Sequence, residues 1–396
     1  MRSRGHFRKN VYPSPFHSRL EPLNKLKEWG RWHDYLSADT YICDSKEYFA
    51  VRNTCAVFDL TPMEKTRVTG PDAFAYLDRL LTRSVEKVKP GRVGYCVWCD
   101  DNGRLLDDGT LFHLHEGDYR LCSLHPQLDW MLTSAIGFDV DIRVETHEVA
   151  ALAFQGPTSC AVLRKMGLDD IENLKPFGIK HYAFAGTELM VSRTGYSGDL
   201  GYELWIDPSA AEDLWDRLFE AGELHGIMPF GGNALDLVRI EAGLLLCGKD
   251  FLPADGTVRP ERTRSPFELG LDWLVDLSKP CFNGRQALLE EKKNGSRYNF
   301  VKLDIDGNKP ANDSFIMLQN KTTVGHVTSA MWSPSAKANI AFASLEAPYG
   351  QVGEEFLAEI YYQRELKWTR VLAPCRVIDH NFFEPPRRRM TPAPDF

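Results

Sequence analysis

The chain lacks the features that would place it in a membrane, on nucleic acid or in an oxidising compartment. Its 396 residues contain no apolar run near the ~20 residues that a bilayer-spanning helix needs. A cationic excess is missing too: 47 Lys and Arg against 55 Asp and Glu leave a net charge of −8. Phosphate-rich and anionic lipid surfaces repel that sign, so neither nucleic acid nor membrane is an expected partner. The nine cysteines have no framework spacing, which excludes a disulfide scaffold and points to free thiols in a reducing compartment, the cytoplasm. The basic start (Arg2, Arg4, Arg8, Lys9) is followed by no apolar segment and does not read as a secretory leader. There is no Gly-x-Ser-x-Gly elbow, no phosphate loop and no internal repeat. Metal ligation is not expected either. Cys96-Val97-Trp98-Cys99 has no second CxxC, and a strand would turn its thiols to opposite faces; His113 and His115 share a strand face without a third ligand.

What is present is the balance of a globular protein, 43% hydrophobic and 26% charged, at a length that suggests about two or three packed units. Helical and strand patterns interleave, which predicts α+β or mixed layers. Residues 1–36 read as irregular. The tail, with Arg387-Arg388-Arg389 flanked by prolines, reads as loose. Ser209 and Glu212 have the spacing of a capping box, ahead of an apolar stripe of Ala211, Leu214, Trp215 and Leu218 that predicts a helix ending near Gly222. Ala73, Phe74, Leu77, Leu80 and Leu81 predict another. Residues 93–99, 105–114 and 119–122, separated by Asp100-Asp101-Asn102-Gly103 and Glu116-Gly117-Asp118, predict a β-meander.

Two stretches carry candidate chemistry. Asp107 and Asp108 are adjacent on a predicted strand, so their side chains diverge and at most one looks into a site. Asp107 lies among Leu105, Leu106, Leu111 and Phe112, where a carboxylate must be paired, hydrogen-bonded or protonated. The second stretch, Arg193-Thr194-Gly195-Tyr196-Ser197-Gly198-Asp199-Leu200-Gly201-Tyr202-Glu203, reads as a tight loop between strands. Its glycines would let backbone approach a flat ligand, and its tyrosines offer stacking faces.

Further segments stand in a telling order: Val57-Phe58-Asp59-Leu60-Thr61-Pro62-Met63, Gly70-Pro71-Asp72-Ala73, Gly91-Arg92-Val93-Gly94-Tyr95, Gly103-Arg104-Leu105-Leu106-Asp107-Asp108, Phe154-Gln155-Gly156-Pro157, the 193–203 loop, Arg239-Ile240-Glu241-Ala242-Gly243, Gly284-Arg285-Gln286-Ala287-Leu288 and Trp332-Ser333-Pro334. From about Lys46 to Val377 this series resembles the aminomethyltransferase family, the T-protein of the glycine cleavage system and its tetrahydrofolate-dependent demethylase relatives. The resemblance implies an α+β, three-domain cloverleaf with a central folate channel. Its parts would be an N-terminal extension over 1–40, a core of two interleaved subdomains over 41–290, a C-terminal β-barrel over 291–380 and a flexible tail over 381–396. By motif position, Asp107 matches the catalytic carboxylate near folate N5, and Glu203 matches the residue that bonds the pterin. Met63, Tyr95 and Tyr196 match its pocket, and Arg364 matches an arginine that meets the folate tail. The implied cofactor is tetrahydrofolate.

The chain also departs from the T-protein pattern. Leu235 stands where that family has a folate-tail arginine, Leu124 where it has an asparagine, and Thr61-Pro62-Met63 where it has Ser-His-Met. The start around Pro15-Phe16-His17-Ser18-Arg19-Leu20 is similar to that of the dimethylsulfoniopropionate demethylases, which tend to lack the double Asp. These mixtures favour a demethylase moving a methyl or methylene from a small N-, O- or S-methylated substrate to N5 of tetrahydrofolate. The alternative is an aminomethyltransferase served by a lipoyl carrier protein. A further alternative is a non-enzymatic folate-binding protein of iron–sulfur maintenance, which Lys279-Pro280-Cys281 only partly matches. Trp98 and Trp205 read as core residues rather than as a cage for a methylated cation.

Overall fold

The computed structural model describes residues 11–392. It has the expected α+β cloverleaf architecture, two large sheets, a two-stranded N-terminal hairpin and a closed barrel.

The first sheet has six strands in the order Ile179–Phe184, Thr187–Ser192, Gly201–Ile206, Ala150–Gln155, Ala56–Asp59 and Met228–Pro229. The last pair is parallel and the others antiparallel. Ala150–Gln155 is buried at every position, as a strand covered on both faces requires. On one face lie helices Ser159–Lys165 and Ala211–Gly222, packing Leu163, Leu214, Trp215 and Leu218 with Phe16 and Leu20. On the other, Phe58, Ala153 and Trp205 meet Phe112, Leu114 and Cys122 of the second sheet. The Ala211–Gly222 helix buries the predicted stripe, but no capping box starts it. Pro208 tightens the chain one turn earlier, and Asp207 accepts the Ser209 amide at 2.8 Å. Glu212 instead takes the Ser18 hydroxyl and pairs with Arg19.

The second sheet runs Arg92–Cys99, Leu105–His115, Asp118–Ser123, Glu64–Thr69 and Asp141–Val144, and contains the predicted meander. Its first turn closes because the Asp100 carboxylate accepts the amides of Asn102 and Arg104 at 3.0 and 2.8 Å. Helix Ala73–Leu80 packs Tyr76, Leu77 and Leu80 against Trp98, Leu111 and Leu121. Trp98 and Trp205 are both core residues. Ala56–Asp59 precedes the second sheet in the chain and Ala150–Gln155 follows it, so the two sheets interleave. Helix Arg285–Asn294 springs from Gly284, where φ is 83° and a Cβ would lie 2.5 Å from the Asp100 carbonyl oxygen. The barrel runs Tyr298–Ile305, Ala338–Glu346, Thr323–Ser333, Phe315–Met317, Glu355–Arg364 and Lys367–Ile378 around Leu303, Ile316, Ala343, Phe356 and Ile360.

Both ends differ from their reading in the sequence. The N-terminal stretch is not irregular: it carries helix His17–Leu20 and the hairpin Glu28–Trp32 with Tyr35–Thr40. Trp29 of that hairpin packs on one core and Trp32 on another, which explains why it orders. Nor are the described residues of the tail loose. Arg387 pairs with the buried Asp199 at 2.6 and 2.7 Å. Arg193 donates to the carbonyls of Arg388 and Met390. Phe383 lies over the Arg52 guanidinium at 3.8 Å. Arg387 and Arg389 both have carboxylate partners, and the tail straps the 193–200 loop. The expected basic start and the last four residues, 393–396, lie outside the described residues. Among the described residues no helix is long and apolar enough to cross a membrane.

Candidate active site

Glu203 is placed by strand register. Gly201–Ile206 pairs with Thr187–Ser192 so that Ser192 stands opposite Glu203, on the same face of the sheet. The hydroxyls of Thr194 and Ser192 donate to one carboxylate oxygen at 2.6 and 3.3 Å. The other oxygen has no protein partner among the described residues. Burial pushes the carboxyl up to about 7 against the pull of those two hydroxyls, yet the residue keeps accessible surface. A partly accessible carboxylate with a free oxygen is placed to accept a ligand's donors.

The glycines of the neighbouring loop serve a purpose other than the one expected. A Cβ at Gly195 or Gly201 would lie 2.1 or 2.2 Å from Gln155 Oε1. Gln155 passes through the loop, donating to the carbonyls of Thr194 and Tyr202 and accepting from Ser197. The glycines thus admit a side chain of the protein itself. Tyr196, at the loop's crest, donates its hydroxyl to the Leu245 carbonyl and leaves its ring partly accessible.

The contacts of the carboxylate pair Asp107 and Asp108 divide as alternation predicts. Asp108 keeps accessible surface and accepts the Tyr95 hydroxyl at 2.8 Å. Burial and the adjacent Asp107 carboxylate raise its pKa. Asp107 is 0% exposed. Its oxygens accept the backbone amides of Asp108 and His125, each at 2.9 Å. The Tyr95 ring leans on Trp273, centroids 6.0 Å apart, and Trp273 is itself 65% exposed. Burial raises both Tyr95 and Tyr196, and Asp108 adds to the rise of each.

Met63 is partly buried against the core that holds Phe112, Cys122 and Trp205. Its loop is pinned by the fully buried Lys65, whose ammonium donates to the carbonyls of Thr61 and Met63 at 2.7 and 2.9 Å. Burial lowers Lys65 to about 8. From the N-terminal hairpin, His33 sits 2.9 Å from the Pro62 carbonyl. Tyr95 lies in the field of Asp108 and of Tyr196, and Met63 and Glu203 both lie near Cys122; Asp107, expected beside the folate amine, is instead fully buried with both oxygens on backbone amides. Arg364 ends a barrel strand, paired with Lys367; its side chain lies outside the described residues.

Other residues at the site escaped the sequence reading. His125 Nδ1 lies 3.4 Å from Asp107 Oδ2, and Cys247 Sγ, that nitrogen and an Asp107 oxygen all fall within 4.8 Å of one another. That spacing is within reach of a cation, but Asp107 already spends both oxygens on amide donors, and hydrogen bonding accounts for the cluster. His33, Trp273 and Lys65 were equally unmarked. They come from loops and strands far apart in sequence, and no local pattern joins them. The pairs that were considered for metal have separate partners. Cys96 and Cys99 lie in different cores and burial raises both thiols. His113 meets the Val88 carbonyl, while His115 stacks on His181. All nine cysteines are free.

Comparison with known proteins gives this geometry a context. Residues 23–279 match the family model of the GCVT N-terminal domain, and residues 299–376 match that of the glycine cleavage T-protein C-terminal barrel domain. An aminomethyltransferase of Caldanaerobacter subterraneus is 33% identical over 95% of this chain and 96% of its own length. A trimethylamine-oxide aldolase of Ruegeria pomeroyi is 36% identical over 78% of this chain, a match that covers 39% of that longer protein. The fold of the glycine cleavage system aminomethyltransferase T from Bartonella henselae superposes with a TM-score of 0.81, at 24% identity, over 95% of this chain and 99% of that one. The chain belongs to the glycine cleavage T-protein, or aminomethyltransferase, family of enzymes.

Proposed function

We propose that this site binds tetrahydrofolate and that the protein moves a methyl or methylene to it from a small N-, O- or S-methylated donor. The observation that carries this reading is Glu203: a partly accessible carboxylate with one oxygen held by hydroxyls and the other without a protein partner among the described residues. The donor-rich edge of a reduced pteridine suits such an acceptor. Tyr95, Tyr196 and Met63 would supply the walls of a slot for a flat ring. When bound, tetrahydrofolate would supply the amine that accepts the carbon. The chain's own part is to hold that amine and the donor together, which is worth much of the rate, and to manage protons with the carboxylates of Asp107 and Asp108. Asp108 presents an acid raised toward neutrality by burial and by Asp107.

A small donor fits the N-terminal hairpin, whose His33 closes over the Thr61-Pro62-Met63 loop. The Ruegeria relative, named for a small methylated amine oxide, lends that reading support. The second reading, an aminomethyltransferase fed by a lipoyl carrier, is favoured by the names of most of the relatives, such as those of Caldanaerobacter and Bacillus subtilis. One experiment separates them. The protein is incubated with tetrahydrofolate and, in turn, methylated amines, ethers, sulfonium acids and an aminomethyl-loaded lipoyl carrier. Mass spectrometry then scores 5-methyl- and 5,10-methylene-tetrahydrofolate. Product with the carrier alone would reject the small-donor reading, and product in no arm would reject both.

A further inference from the structure

His125 stands partly exposed with a buried carboxylate behind it. Its Nδ1 is buried, lies 3.4 Å from Asp107 Oδ2 and has no other partner. Its own amide donates to that same oxygen. The rest of the ring is open: 38% of the side chain is accessible, and its outer edge passes Gly248, where an added Cβ would meet Cε1 and Nε2 at 3.8 and 3.9 Å. The loop that holds Gly248 also presents the Leu245 carbonyl to Tyr196, so the imidazole and the Tyr196 hydroxyl rest on the same loop. Asp107, by contrast, is 0% exposed and cannot touch a ligand.

We propose that His125 is a catalytic acid of this site, that Asp107 is its positioning residue, and that the donor is therefore a methyl ether or tertiary amine. This rests on the folate-dependent reading above. Such donors part from their methyl only if the heteroatom is protonated as it leaves, whereas a sulfonium or quaternary ammonium leaves neutral without help. In the step, the carbon–heteroatom bond breaks and its electron pair stays on the heteroatom, which takes the proton from His125 Nε2. The methyl carbon forms its new bond to the acceptor amine, whose own proton passes to Asp108. One proton is given and one recovered, so no oxidant or reductant is needed.

The charges around the ring favour this role. Asp107, Asp108 and Asp255 face it as anions or potential anions, and His33 opposes them as a potential cation. Cys247 beside it is kept a thiol by burial. The Asp107 contact dominates and raises the imidazole above its ordinary value, favouring its protonated form.

The test uses the full chain. The imidazole of His125 is titrated by NMR in the ligand-free parent and in Asp107→Asn; the midpoint falls in the variant. His125→Gln then loses about 100-fold or more of turnover on methyl ethers and tertiary amines, changes less than about threefold on sulfonium donors, and leaves tetrahydrofolate affinity by calorimetry unaltered. An unmoved midpoint, or equal losses on both donor types, overturns the proposal. So does activity lost to a chelator and regained with zinc, which would make the cluster a metal site. If no donor yields a methylated folate, the functional reading fails, while the titration still decides whether Asp107 and His125 act as a pair.

Discussion

Arg52 grips Glu241 through two guanidinium nitrogens at 3.0 and 2.7 Å, both side chains shut off from solvent. The remaining donors of the guanidinium reach the carbonyls of Ser197 and Val238. Glu241 also accepts the hydroxyls of Tyr48 and of Ser333, a barrel residue. One pair thus ties the first sheet's helices, the 193–200 loop and the barrel together.

Removing one member strands the other as a buried charge. Arg52→Met should cost about 3–5 kcal/mol, read as a fall in the urea midpoint at constant slope. A loss below about 1 kcal/mol would show that water enters the joint.

Glu203 links binding to pH. Its carboxyl rises to about 7 in the folded protein, from about 4.3 in an unfolded chain. Between those values the fold retains a proton that the unfolded chain has shed, so stability falls as pH rises toward 7. Glu203→Gln removes that burden. We expect its Tm to exceed the parent's at pH 8 and to match it near pH 4. Loss of a charged acceptor should weaken tetrahydrofolate by about 10- to 100-fold. Unchanged affinity would place the pteridine elsewhere.

Asp107→Asn and Asp108→Asn should differ. The first keeps folate affinity but loses most turnover, because the ring of His125 is no longer oriented. The second removes the raised acid and shifts the neutral limb of the pH–rate profile. Identical profiles would mean that the two carboxyls act as one unit.

The tail offers a test distant from the chemistry. Asp199 is fully enclosed and faces Arg387 with both oxygens. Arg387→Ala should destabilise by about 1–3 kcal/mol and raise hydrogen exchange within residues 193–200 specifically. Uniform exchange across that loop in parent and variant would dismiss the strap.

Much of this is legible in the sequence. The stripe Ala211, Leu214, Trp215 and Leu218 survived because burial against one sheet face demands a helical period. The meander survived because Asp100 and Gly103 satisfy its turn locally. Other features depend on distant partners. Gly195 and Gly201 looked like room for a ligand, yet it is Gln155, some forty residues away, that fills it. The hairpin of Trp29 and Trp32 was hidden because its aromatics serve two separate cores. His33 and His125 carry no pattern of their own and gain meaning only from Pro62 and Asp107.

The insertion of one sheet's chain within the other's has a consequence for biosynthesis. Ala56–Asp59 emerges early from the ribosome, but its neighbours Ala150–Gln155 and Met228–Pro229 follow roughly ninety and one hundred and seventy residues later. The nascent strand must wait, unpaired, while the meander sheet forms outside it. Truncated chains ending just before Ala150 should therefore protect amides of Leu105–His115 but not those of Ala56–Asp59, and the finished halves should melt together rather than one at a time.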